Sequence, residues 1–201
     1  MMTDRTKVFR KLHIAAERAY GHSLQTGSGG NLSARDVVAG QMIVKSSGGS
    51  FADCTDEGDG FVITDFLGSP IPGSTGKPTR EVVLHAMLYQ LSDTIGGVMH
   101  THSPFAIAYA FHHDILPMTT WHVRLKFGCD IPVLDIPSPM VRPEDTPLVR
   151  SLFDANPNLP AFLLRGHGIV AVGKDVLEAE HNAELVEETA KIAVLKELLE
   201  K

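Results

Sequence analysis

Two histidines stand two residues apart at the end of an apolar run, in "GGVMHTHSPF". On a strand, side chains at i and i+2 share a face, so His100 and His102 sit roughly 7 Å apart along the chain. Two imidazoles so placed reach one divalent ion, whose nitrogen ligands lie about 2.0–2.1 Å away. The plainer reading is a polar strand end, and a third ligand decides between them. The best candidate is His167 in "LLRGHGIVAVG", with a glycine on each side and apolar strands beyond. Such glycines let another element approach closely. Three imidazoles leave a zinc-like ion an open position, as catalysis requires.

A carboxylate must then move protons beside the ion. Glu81 opens the helical stretch "REVVLH" just ahead of the His100 strand; alternatively, a glutamate in a first turn simply complements the helix dipole. His85, one turn on, is either a further ligand or a packed histidine, and packing is the commoner fate. His13, His22, His112, His113 and His181 fall on helices or polar loops and are expected to be solvated. Three small-residue loops offer anion-binding turns: "GSGGN" around Gly30 and Asn31, "KSSGG" around Ser47 and Gly48, and "KPTR" around Thr79 and Arg80. None has P-loop spacing, so no nucleotide is implied. Taken singly, each is an ordinary turn.

The elements that must position these residues alternate in period. Val8, Leu12, Ala15, Ala16 and Ala19 predict an opening amphipathic helix. "LSAR", "QMIVK" and "FVITD" read as short antiparallel strands. A second helix follows Pro78, with Thr79 as its cap. The His100 strand comes next, then a helix over about Ser103 to Phe111 and a mixed segment to "IPVLDIP". A helix at "PEDTPLVRSLFDA", the strands "AFLLRG" and "GIVAVG", and a long helix from Asp175 complete the chain. That last helix carries two apolar stripes, Ala183, Val186, Ala190 and Val194 beside Leu185, Ile192, Leu195 and Leu199. They form either one wide core face or a second face for another subunit. Strands in runs predict an α+β class.

With 201 residues, 43% hydrophobic and 21% charged, the chain suits one globular domain over 1–201. A net charge of -6 excludes the basic face of a nucleic-acid binder. Two cysteines make no disulfide framework, so a reducing cytoplasm is expected. The start is charged rather than signal-like, and "PFAIAYAF" is too short to span a bilayer, so no membrane association is expected.

In order, the segments "TGSGGNLSAR", "IVKSSGG", "GKPTREVVLHAMLY", "GVMHTHSP" and "FLLRGHGIVAVGKDVLEA" resemble the class II aldolase/adducin family over nearly the whole chain. The resemblance implies a three-layer α/β/α fold around a mostly antiparallel sheet. It also implies a homotetramer with sites between neighbouring subunits. His100, His102 and His167 match the family's metal ligands, with one divalent ion per subunit, usually zinc; manganese, cobalt or iron suit the same donors. Glu81 matches the catalytic acid/base, and Gly30, Asn31, Ser47, Gly48 and Thr79 match the phosphate-binding loops. The implied substrate is a small phosphorylated ketose or keto acid. Its carbon–carbon bond breaks through a metal-stabilised enediolate, releasing dihydroxyacetone phosphate and an aldehyde.

Two positions depart from that pattern. Thr79-Arg80 stands where sugar-phosphate aldolases often read serine-serine. An arginine there, with "NAELVEETAKIA", looks like members that decarboxylate 3-oxo-tetronate phosphates; equally, it adds phosphate affinity. The aldehyde-side acid, commonly a neighbouring subunit's tyrosine, aligns loosely with Trp121 or His122, and His122 can donate a proton near neutral pH. Epimerases of the family carry aspartate where Glu81 stands, which disfavours epimerisation. Adducin-like scaffolding heads lack the full donor set that this chain keeps. Aldol cleavage is therefore expected ahead of decarboxylation, and both ahead of a non-catalytic interaction module.

Overall fold

Alternation along strand β4 (Gly97–Thr101) sets the architecture. Val98 packs into one apolar cluster and Met99 into another, so the strand is buried on both faces between two separate cores. The computed structural model describes residues 4–200.

The chain runs α1 (Asp4–Gly21), β1 (Asn31–Asp36), β2 (Gln41–Lys45), β3 (Phe61–Thr64), α2 (Val82–Leu91) and β4. It continues with α3 (Pro104–Ala110), β5 (Ile115–Leu116), α4 (Trp121–Phe127), β6 (Ile131–Leu134) and α5 (Thr146–Ala155), then β7 (Ala161–Leu164), β8 (Gly168–Gly173) and α6 (Val176–Leu199). The strands form one sheet in the order β3-β2-β1-β4-β8-β7-β6-β5. Among the described residues only the β6–β7 pair is parallel. Helices α1, α3, α4 and α6 supply the core on one face. Helices α2 and α5 supply it on the other. This is the three-layer α/β/α arrangement with a mostly antiparallel sheet that the sequence resemblance implied.

Two local expectations, for the cap of α2 and for two histidines, are corrected, and the mixed segment gains its elements. Helix α2 starts at Val82 with Glu81 as its N-cap and makes no side-chain cap bond. Thr79 lies upstream, where its backbone N donates to Lys45 O at 2.9 Å and ties the segment to the end of β2. The mixed segment holds β5 and α4; α4 has seven residues, no side-chain cap and only Val123 buried, so its periodic signal is weak. Finally, His13 and His113 are half-buried, His13 against Cys54 O at 2.8 Å and His113 stacked on Tyr109.

Helix α6 buries Val176, Ala179, Ala183, Val186, Ala190 and Ala193. Leu185 and Val194 pack at the core edge, whereas Leu195, Leu198 and Leu199 are exposed. Glu180 is buried on the same helix, and that burial, with Glu184 close by, pushes its carboxyl up to about 7.

The C-terminal end of α2 is held by Arg35 of β1. Its guanidinium donates to the carbonyls of Tyr89, Ser92 and Ile95, and stacks against the rings of Phe66 and Tyr89. The last carbonyls of a helix have no partner within it, so a buried planar fork is well matched to them. Arg35→Ala is expected to destabilise the protein by about 2–4 kcal/mol, with Arg35→Lys recovering less than half. Denaturant midpoints at constant slope measure both.

Candidate metal centre and active site

The register of β1 against β4 pairs Asn31 with His100, and directly paired residues point to the same face. That face is the one covered by α2, so Asn31, His100 and the helix start at Glu81 converge. His100 is fully buried. Its Nδ1 lies 2.8 Å from the carbonyl of Ile169 on β8. A carbonyl only accepts, so Nδ1 carries the proton and Nε2 keeps its lone pair. His102 follows the end of β4, and its backbone N donates to Gln25 Oε1 at 2.8 Å. His167 sits in the turn between β7 and β8.

The three imidazole rings have centroid separations of 5.0, 4.7 and 5.0 Å. Glu81 Oε2 lies 3.3 Å from His100 Nε2, and Glu81 Oε1 lies 3.8 Å from His167 Nε2. One ligand atom from each of the four residues lies within 4.8 Å of the others. Glu81 Oε1, His100 Nε2 and His102 Nε2 are buried with no hydrogen-bond partner. Buried polar atoms are normally paired, so three such atoms aimed at one point mark a site for something that accepts lone pairs. Burial lowers His100 to about 3, with His102 adding to the effect, and lowers His102, opposed by Glu81. It lowers His167 to about 4, reinforced by His100. Neutral imidazoles with free lone pairs and a carboxylate are the donor set of a divalent metal.

Glu81 is oriented by a chain of hydrogen bonds beneath it. Tyr89 Oη is 2.7 Å from Ser33 Oγ, which is 2.7 Å from His85 Nδ1. His85 Nε2 contacts Asn31 Oδ1, and Asn31 Nδ2 donates to Glu81 Oε2 at 2.7 Å. The amide oxygen of Asn31 only accepts, which puts the His85 proton on Nε2 and makes Ser33 the donor to Nδ1. Burial lowers His85 to about 3, so it is neutral as this chain requires. His85 is thus packed and hydrogen-bonded through both nitrogens, not a fourth imidazole of the cluster.

A cavity of about 200 Å³ opens beside the cluster. Gly30, Asn31, Ser47, Gly48, Thr79 and Arg80 all line it, along with Glu81, His102 and His167. The Asn31 side chain is already committed to Glu81 and His85. His122 is not among the lining residues; it is exposed on α4, 3.5 Å from Glu188. A larger cleft of about 590 Å³ lies elsewhere, bordered by Lys126, Asn158 and Asp175, and contains none of these four donors.

Two residues of the site were missed from sequence. Lys45 is almost fully buried at the end of β2 and lines the cavity, its amine lowered by burial. In "QMIVK" it reads as a solvent-facing strand end. Gln25 is buried and holds His102 through its backbone. A Cβ on Gly29 would stand 2.6 Å from Gln25 Nε2 and 2.8 Å from His102 Nδ1. Glycine in "GSGG" is therefore required for close packing on the His102 ring. Gly168 meets a similar demand: at φ +149, a Cβ would lie 2.0 Å from Thr101 O.

The fold and the sequence both have known counterparts. An L-fuculose 1-phosphate aldolase superposes with a TM-score of 0.83 at 26% identity, over 100% of this chain and 90% of that one. The L-fuculose-1-phosphate aldolase of Thermus thermophilus gives 0.81 at 25% identity, over 98% and 97% of the two chains. YgbL of Klebsiella pneumoniae, for which aldolase, epimerase and decarboxylase are all candidate activities, gives 0.76 at 26%, over 95% and 90%. The profile described as "Class II Aldolase and Adducin N-terminal domain" matches residues 10–194. Spanning nearly the whole chain, that match means that this protein belongs to the class II aldolase and adducin N-terminal domain family.

Proposed function

We propose that this protein is a divalent-metal-dependent lyase. It performs retro-aldol cleavage of a small phosphorylated ketose, giving dihydroxyacetone phosphate and an aldehyde. The observation carrying this reading is the set of unpartnered buried acceptors on Glu81, His100 and His102, beside a cavity that Glu81 and His102 line together with small-residue turns suited to an anion. His100, His102 and His167 would hold the ion, with zinc the first choice for three imidazoles. A divalent ion there supplies Lewis-acid polarisation of a carbonyl and stabilises negative charge on its oxygen.

The remaining steps fall to this chain's own residues. Ser47, Gly48, Thr79, Arg80 and Lys45 bind and orient the phosphate end, so that binding energy remote from the reacting bond aids its cleavage. As the bond breaks, the aldehyde-side acid/base takes the hydroxyl proton of the aldehyde half, the electron pair stays on the ketone half, and Glu81 enters this step carrying a proton. Glu81 then delivers a proton to that carbon, its carboxylate aimed by Asn31. His122 points away from its own chain's cavity. Its proposed role as the aldehyde-side acid therefore requires a neighbouring subunit, with sites at the interfaces of a homotetramer. The proposed setting is the cytoplasm; among the described residues no helix is long and apolar enough to cross a membrane.

A second reading is favoured by Arg80, which lines the cavity next to Glu81. A guanidinium there suits a second anionic group, and a 3-oxo-tetronate phosphate would lose carbon dioxide through the same residues. A screen of phosphorylated ketoses and keto acids separates the two, scoring dihydroxyacetone phosphate against carbon dioxide. Release of neither product, from protein shown to contain metal, refutes the lyase. His100→Ala is expected to lose the ion of this site and the activity together. Glu81→Gln should keep fold and metal while kcat falls by about 10²–10⁴; unchanged turnover removes Glu81 from its role.

The buried histidines also predict how stability responds to pH. His85, His100 and His167 have folded values depressed from 6.5 to about 3, 3 and 4. The unfolded chain therefore binds more protons between about pH 6.5 and 3, and stability rises with pH across that window. Metal-free protein should lose stability progressively as pH falls below about 6.5. Denaturation midpoints that stay flat down to pH 4 would contradict this.

A further inference from the structure

Helix α6 carries a second group of donors, on the opposite side of the sheet from α2. Glu180 is fully buried and neither of its carboxylate oxygens has a hydrogen-bond partner. Glu184, one turn on, is half-buried, and its Oε1 contacts Nδ1 of His22, in the turn that follows α1. One ligand atom from each of these three residues lies within 4.8 Å of the others. Two other groups lie near: Arg18 Nη1 at 3.8 Å and His181 Nε2 at 3.6 Å from Glu180 Oε2. They bond each other at 2.9 Å, so the guanidinium is engaged with the imidazole and donates no hydrogen bond to Glu180.

Exposed carboxylates gather on surfaces without any ligand. A fully buried one with both oxygens free is different, because burial removes the water that would otherwise satisfy it. A proton shared between the two glutamates neutralises one charge and satisfies one Glu180 oxygen, leaving the other without a hydrogen bond. A divalent ion satisfies both carboxylates and the imidazole together. One nitrogen and two carboxylate donors suit borderline transition metals better than calcium or magnesium, which take oxygen ligands. His22 is exposed, so its side chain is free to adjust to the ion.

We propose that His22, Glu180 and Glu184 form a second divalent-cation site, distinct from the His100 cluster and suited to zinc or manganese. The ion clasps the end of α1 to α6. The chain leaving that clasp runs directly through Gln25 to the glycine loop that packs on His102, so the site braces that segment.

The test is zinc stoichiometry on chelator-stripped protein, measured by elemental analysis and calorimetry with a competing chelator that excludes weak surface binding. Wild-type protein should take up about two equivalents per chain, and His22→Ala and Glu184→Gln about one each. His100→Ala should also take up about one, through this site alone. Zinc should raise the Tm of His100→Ala but not that of the His22→Ala/His100→Ala double variant. His22 is exposed and its removal leaves the core intact, so failure to fold does not confuse the outcome. Wild-type uptake of about one equivalent, abolished by His100→Ala and unaffected by His22→Ala, overturns the proposal. One equivalent abolished by His22→Ala and kept by His100→Ala sustains it and instead sinks the metal centre behind the proposed lyase.

Discussion

A carboxylate buried among three uncharged imidazoles is an electrostatic debt. Glu81 is 7% exposed, and only its Oε2 receives a hydrogen bond from the protein. In water both oxygens would be solvated, and moving an unpaired carboxylate into a protein interior is among the least favourable steps in folding. The surrounding histidines cannot compensate by protonating, because burial and mutual repulsion hold them neutral. The geometry makes sense as a cradle whose positive charge arrives from outside the chain. Much of the neighbouring structure holds that cradle in place: β8 fixes the His100 tautomer, Gln25 fixes the His102 backbone, and Gly29 and Gly168 clear space around His102.

The sheet order is what makes this assembly possible. Asn31, His100 and His167 lie far apart in sequence, but β1, β4 and β8 are adjacent strands. The donors gather where one end of β4 meets the start of β1 and the turn before β8, at the N-cap of α2. Loops reaching this end supply the small-residue turns that line the cavity. The central strands hold the donors in place, and the loops shape the cavity beside them.

The parts legible in sequence were those with strong local signatures. Period-two strands, the long final helix, His-x-His and the glycine-flanked His167 each announce themselves. So does Glu81, which its motif and its place ahead of the His100 strand put beside the three histidines. The missed residues have signatures that depend on partners distant in the chain. Lys45 reads as an exposed strand end until the "KPTR" segment folds over β2. Gln25 reads as loop filler until a glycine lets it press against His102. Helix α4 escaped because seven residues with one buried side chain leave almost no periodicity. His122 was placed by loose alignment, and within its own chain it faces Glu188 rather than the cavity.

The relay from Tyr89 through Ser33, His85 and Asn31 has a direction. Every donor in it points toward Glu81, because the amide oxygen of Asn31 can only receive the His85 proton. Oε2 therefore receives a hydrogen bond from the chain, whereas Oε1 receives none and is left open to a proton or an incoming group. Two oxygens that are equivalent in a free carboxylate have been made unlike, one anchored and one free. In the proposed cleavage a substrate meeting the free oxygen would be protonated from one side only, and handedness in the product would trace back to the orientation of a single asparagine amide.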